Sequence, residues 1–250
     1  MSAEHENEHA NEHSNERRNF LGACGAGALC STLGSTAALA AAPSSRPYAR
    51  VKLTDADGKA VKLKSLKTNY NYVFNYPYAS TPCFLLNLDQ PMAEKTGLMT
   101  EAGASYDWPG GVGEKKTLVA YSAICAHKLA YPTSQISFIG FRASPSAAST
   151  RGKVITCCAD KSVYDPFAGA KVISGPAPQP LAAILLEHDA RTDEIYAIGT
   201  FGGEKFNDFF AKYEFKLTME MGSSSRVREE VKGAAVLKDL ANYSAQTTQC

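Results

Sequence analysis

ICAHKLAYP at 124–132 is followed further along the chain by CCADKSVYDPFAG at 157–169. The first stretch sets a thiol, Cys125, and an imidazole, His127, two residues apart on what reads as a tight loop. The second supplies two adjacent thiols, Cys157 and Cys158, and a carboxylate, Asp160, with no histidine near them. Thiolate, imidazole and carboxylate are all metal-ligand types, but two loops that each carry part of a set serve one centre only if the fold brings their tips together. The elements on either side of them therefore decide the reading.

From 50 to 217 the chain is a succession of short apolar runs with turn residues between them. ARVKLTDADGKAVKLKSL (49–66), YNYVFNYPY (70–78), CFLLNLD (83–89), KTLVAYSAI (116–124), QISFIGF (135–141), GKVITC (152–157), AKVISG (170–175), LAAILLEHD (181–189) and EIYAIGTF (194–201) read as strands of about 4–8 residues. That spacing fits an antiparallel sandwich or small barrels, an all-β class. LLEHDARTDEIYAIG (185–199) reads as a hairpin turning at Asp-Ala-Arg-Thr-Asp. Residues 89–115, with the single tryptophan Trp108, read as a turn-rich loop, and 141–152 as a polar connection. GGEKFNDFFAKYEF (202–215) is expected to hold a short helix. SSRVREEVKGAAVLKDLANYS (224–244) is expected to hold a second, capped by its serines and docked on the domain or on a partner.

The first 42 residues look like an address. SAEHENEHANEHSNE is polar and repetitive, Arg17-Arg18 precede an apolar pair, and a Gly/Ala-rich run ends in Ala-x-Ala choices. Paired arginines ahead of a weak apolar region are the pattern of a twin-arginine export signal, used by proteins that fold with cofactor before crossing a bacterial membrane to the periplasm. Its Gly and Ser content favours removal over retention as an anchor, so membrane contact is expected only through an uncleaved leader. Leu21-Gly22-Ala23-Cys24 sits too close to the arginines for a lipoprotein box, and His5, His9 and His13 belong to the leader. The expected organisation is a leader over 1–42, a β domain over 43–217 whose metal-binding part spans about 118–182, and a C-terminal helical extension over 218–250.

The 250 residues are 44% hydrophobic and 20% charged, enough for one large or two small cored domains. Beyond the leader, 24 Lys and Arg face 20 Asp and Glu. This balance is too weak to argue for nucleic acid, and no Walker loop or dinucleotide fingerprint follows a strand. Five cysteines remain beyond the leader: Cys83, Cys125, Cys157, Cys158 and Cys250. The number is odd for an exported chain, and the adjacent pair Cys157 and Cys158 cannot close on each other without strain. Free thiols in an oxidising compartment point to ligands. Cys83, in a strand-like run, reads as a core thiol, and Cys250 as a terminal thiol of unknown use.

A Rieske [2Fe–2S] cluster takes two thiolates on one iron and two imidazoles on the other, from a Cys-x-His loop and a Cys-x-x-His loop. SVYDPFAGAKVISGPAPQPLAAI (162–184) carries the Ser-x-Tyr-Asp, Gly and Ser-Gly-Pro-Ala-Pro pattern that follows the second ligand pair in Rieske proteins. FNYPYASTPCFLLNL (74–88), PGGVGEKKTLVAYSAICAHK (109–128) and LLEHDARTDEIYAIG resemble the small, Rieske subunit of arsenite oxidase, leader included. The resemblance covers roughly 50–200. It implies a β-sandwich or barrel base carrying a small cluster-binding β-subdomain. By the same resemblance Cys125 and His127 are the first ligand pair, and Ser162 and Tyr164 are hydroxyls that hydrogen-bond the cluster and raise its potential. Gly175-Pro176-Ala177-Pro178 is the loop that covers it.

The departure lies in the second pair. Counting back from Ser162 places Cys157 at the thiolate and Asp160 where an imidazole belongs; shifting by one gives Cys158 and Lys161, again without histidine. Three outcomes stay open: Asp160 binds iron through oxygen, Cys157 and Cys158 both join Cys125 and His127, or no cluster binds. His188, in the hairpin, reads as a turn residue. The disulfide that braces the two loops in bc-type Rieske proteins is missing, since its cysteines would fall at Ala130 and Ala159. The function expected is an electron-transfer subunit, not a catalytic subunit by itself. By resemblance it would pass electrons from a large molybdopterin-type or other redox subunit to a cytochrome c or cupredoxin. The alternative is a cluster-free structural subunit of a larger redox complex. A quinol-oxidising role is disfavoured, because exposed ligand imidazoles take up the quinol protons and at most one is present.

Overall fold

The computed structural model describes residues 45–250; the expected export leader lies outside the described residues. The described part opens with a ten-residue strand, β1 (Ser45–Thr54), then β2 (Tyr72–Asn75) and β3 (Pro82–Asn87). Residues 89–115 are not a structureless loop. They contain the hairpin β4 (Lys95–Met99) and β5 (Ser105–Trp108), which ends in the buried Trp108. After β6 (Leu118–Ser122) the chain leaves for the smaller sheet through β7 (Ile136–Ser137), β8 (Ile139–Arg142), β9 (Val154–Cys157), β10 (Ser162–Asp165) and β11 (Lys171–Ser174). It returns as the hairpin β12 (Ala183–Asp189) and β13 (Glu194–Phe201). This hairpin turns where the sequence places it, with Asp189 accepting from the Arg191 N–H at 2.9 Å and Asp193 in the left-handed region.

The alternation of apolar side chains along the central strands explains how two cores form on one sheet. In β3, Cys83 and Leu85 face one core and Phe84 and Leu86 the other; in β6, Leu118 and Ala120 face the first, Val119 and Tyr121 the second. Both faces are covered, so these strands are apolar throughout. The first core is wrapped by the large sheet itself. The second lies between that sheet and the four-stranded sheet β11-β10-β9-β8, which contributes Ile139, Phe141, Ile155, Cys157 and Tyr164. Each large side chain withdrawn from water there contributes roughly 1.5–3 kcal/mol.

The chain after β13 departs from the expectation of a second helix. Helix α1 (Phe206–Met221) is longer than its sequence signal and stops at Gly222, in the left-handed region. The serine-capped start at 223 is real, since the Ser223 hydroxyl accepts from the Ser225 N–H, but α2 (Ser224–Val227) is a single turn. The remainder adds strands. β14 (Gly233–Val236) runs parallel to β1, the Leu237 N–H reaches the Thr54 carbonyl at 2.8 Å, and β15 (Lys238–Asp239) pairs antiparallel with β2. Residues 233–239 thus link the two outer strands of the order β1-β13-β12-β6-β3-β2 and nearly close it. One turn, α3 (Leu240–Tyr243), leads to β16 (Gln246–Thr247), parallel to β7 in the other half of the fold.

Candidate metal centre

Two loops and one cover build the site. The first loop follows β6. The Ser122 hydroxyl accepts from the Ile124 N–H, the Cys125 N–H donates to the Ala130 carbonyl at 2.9 Å, and the Leu129 N–H returns to the Cys125 carbonyl at 3.0 Å. The second is the four-residue turn between β9 and β10, where Cys157 pairs with Ser162 across the ladder and the Lys161 N–H donates to the Cys157 carbonyl at 2.8 Å. Asp160 Oδ1 accepts from the Ser162 N–H at 2.9 Å, an Asx-type bond that fixes the direction of the carboxylate. The loop 175–178, expected from the sequence to cover the site, packs on that second turn through Gly175. A Cβ at Gly175 would lie 2.5 Å from the Ser162 Cα and 2.6 Å from the Lys161 carbonyl oxygen, and its φ is 89°. Glycine alone lets this loop close on the turn.

The fold brings the two loop tips together. Ligand atoms of Cys125, Cys157 and Asp160 all lie within 4.8 Å of one another. The Cys125 thiol donates to Asp160 Oδ2 at 3.2 Å, and His127 Nδ1 lies 3.0 Å from the same oxygen. Both cysteines are fully buried and the Asp160 side chain is 2% exposed, whereas the His127 side chain is 35% exposed. The quartet therefore has a dry interior and one wet edge, formed by the imidazole. Tyr164 enters from β10. Its oxygen accepts the Ala126 N–H at 3.2 Å and lies 3.5 Å from Cys125 Sγ, so the phenol hydrogen remains free to point at the sulfur.

Electrostatics separate the two thiols. The contact with Cys157 holds Cys125 below the ordinary thiol value against the cost of burial, with help from the Tyr164 hydroxyl and the His127 and Lys128 N–H groups. Cys157 is pushed up by Cys125, by burial and by the Asp160 charge. Burial works against ionisation of Asp160, yet the Ser162 N–H, the two cysteines and His127 outweigh it and keep the carboxyl below its usual range. A thiol and a carboxyl whose ionisation the surroundings favour suit a cation.

Of the residues singled out from the sequence, Cys125, His127, Cys157, Asp160 and Tyr164 converge. Ser162 stands directly opposite Cys157 in the ladder, with its hydroxyl oxygen buried and unpartnered. Cys158 is a correction: its sulfur is bonded to Cys250, ninety-two residues away, so it is not a free ligand and the three-thiolate arrangement is excluded. The adjacency of the two thiols concealed this, because nothing local marks a partner at the far end of the chain. His188 bonds Asp193 at 2.8 Å within the β12–β13 hairpin, and Cys83 is a core thiol held to the Tyr76 carbonyl. Sequence reasoning also missed Tyr131, whose ring meets Phe209 of α1 at 4.8 Å and secures the first loop's exit.

No family model matches the chain. Among solved structures it is similar to the soluble domain of the Rieske protein II (soxF) from Sulfolobus acidocaldarius, at 28% identity and a TM-score of 0.44, over 63% of this chain and 82% of that one.

Proposed function

We propose that the chain is an electron-transfer subunit that holds a Rieske-type [2Fe–2S] cluster on Cys125 and Cys157, with His127 and Asp160 as the ligands of the second iron. The observation that carries the reading is the meeting of two buried sulfurs from separate loops beneath two buried hydroxyls. A buried hydroxyl without a partner is costly, and the unpartnered Ser162 oxygen gains one if an inorganic sulfide lies beside it. A bound cluster of this kind supplies one-electron storage. The protein's part is to keep water from the thiolates, to aim the Tyr164 hydroxyl at Cys125, and to leave the His127 edge open to a partner.

Asp160 sets this site apart. An anionic oxygen ligand is harder than imidazole, so it favours the oxidised metal and lowers the potential, and it leaves a single imidazole to couple proton uptake to reduction. That combination supports relay between proteins over quinol oxidation. Export to the periplasm is supported by the leader pattern and by the Cys158–Cys250 disulfide, a bond that persists in oxidising compartments. Among the described residues no helix is long and apolar enough to cross a membrane. A large molybdopterin-type or other redox subunit as donor, and a cytochrome c or cupredoxin as acceptor, complete the proposal by family resemblance.

A second reading, a cluster-free structural subunit, is favoured by one observation: without metal the donors already satisfy one another, Cys125 and His127 both bonding Asp160. The two readings separate on anaerobically purified protein. Iron and acid-labile sulfide near two per chain, with a rhombic electron paramagnetic resonance signal of low average g after dithionite, establish the relay. Silence without iron, before and after reconstitution, leaves the structural role.

A further inference from the structure

The C-terminal tail touches both ligand loops. The Ser244 hydroxyl donates to the Thr133 carbonyl at 2.6 Å, and the Ala245 and Gln246 N–H groups bond the Ser134 and Gln135 carbonyls, all on the exit of the first loop. The Thr248 N–H bonds the Ser137 carbonyl at 2.8 Å, and the Thr248 carbonyl accepts from the Arg142 guanidinium. Two residues later Cys250 is bonded to Cys158, the first residue of the turn that presents Asp160 and the immediate neighbour of Cys157.

That turn needs a restraint. Lys161 sits at a φ of 62°, in the left-handed region, and the Asp160 N–H reaches the Cys157 carbonyl only at 3.4 Å. A non-glycine residue in that region persists where its surroundings over-determine it. One side is determined by Gly175 and the cover loop, the other by the tail.

We infer that Cys250 is a positioning residue for the metal centre: its bond to Cys158 straps the tail across the second turn and holds Cys157 and Asp160 against Cys125. The purpose assigned to the strap rests on the metal-centre reading, but its mechanical consequence does not, because the strap must also protect the two site thiols when no metal is bound.

The test is the double variant Cys158→Ser/Cys250→Ser, compared with wild type as metal-free full chain. Iodoacetamide alkylation of Cys125, Cys157 and Cys83 is followed by peptide mass spectrometry. Cys83, fully buried in the other core, reports global opening. The expected result is alkylation of Cys125 and Cys157 at least tenfold faster than in wild type, with Cys83 unchanged. Rates at Cys125 and Cys157 less than tenfold above wild type, or a rise at Cys83 matching the others, would overturn the strap. Should the double variant fail to fold, wild type whose Cys158–Cys250 bond has been opened by a phosphine reductant is held to the same three rates. In iron-loaded protein the strap also predicts altered g values without the disulfide. Absence of iron in wild type would sink the cluster reading and leave the alkylation contrast to stand or fall alone.

Discussion

The Cys125 thiol and the Asp160 carboxylate, thirty-five residues apart in sequence, meet at 3.2 Å, and that same carboxylate oxygen receives His127 at 3.0 Å. Asp160 thus occupies the hub of the donor set. Replacing it with alanine removes a ligand oxygen and the anion that attracts metal. Loss of outer partners alone costs metal sites roughly 10–100-fold in affinity, and Asp160→Ala is expected to lose at least that, read as iron per chain. Asp160→His restores a second imidazole and should keep iron at a higher potential. Unchanged iron in the alanine variant would remove Asp160 from the ligand set.

Ser162 gives a prediction whose sign depends on loading. Its oxygen is buried without a partner, so in metal-free protein Ser162→Ala relieves an unsatisfied group and should stabilise the fold by roughly 1 kcal/mol, seen as a higher urea midpoint. In the loaded protein the same change deletes a donor to the cluster and should lower the potential. A destabilised metal-free variant would mean that the hydroxyl already has a partner.

Much of this site could be read before any coordinates, and the reason is local. Cys-x-His after an apolar strand, and a turn ending in Ser-x-Tyr-Asp, are short-range patterns whose geometry is fixed by a few neighbouring hydrogen bonds. The tail could not be read that way. SSRVREEVKGAAVLKDLANYS has the composition of a helix, but Gly233 at a φ of 72° and the open sides of β1 and β2 draw it into short strands. Pairing against existing strands outweighs intrinsic propensity. The Cys158–Cys250 bond joins residues ninety-two apart and leaves no periodic trace.

Helix α1 supports the first ligand loop from outside. Phe209 is fully buried against Tyr131, in a cluster that includes Ile124 and Leu129, and the Lys212 ammonium donates to the Lys128 carbonyl at 2.7 Å. Phe209→Ala should cost about 3–5 kcal/mol and speed hydrogen exchange at 124–131 before it affects β9 and β10. Phe215, 82% exposed on the same helix, should tolerate alanine within about 0.5 kcal/mol. Equal effects at the two positions would refute the docking role.

A carboxylate remote from the metal centre contributes to the acid response. Glu194 accepts from Lys52 at 2.8 Å, from the Tyr196 hydroxyl at 2.6 Å and from Lys62 at 3.3 Å. Lys52 first, then Tyr196, bring its carboxyl down to about 2, against an unfolded value of about 4.3. A depressed folded value means that the contribution is complete above pH ~4.3 and is lost as pH falls through about 2. Glu194→Gln should therefore melt below wild type at pH 6, with the gap closing towards pH 2 and narrowing in high salt, as expected for charges near the surface. A gap that stays constant across that range would assign the effect to packing at the β12–β13 hairpin and not to the ion pairs.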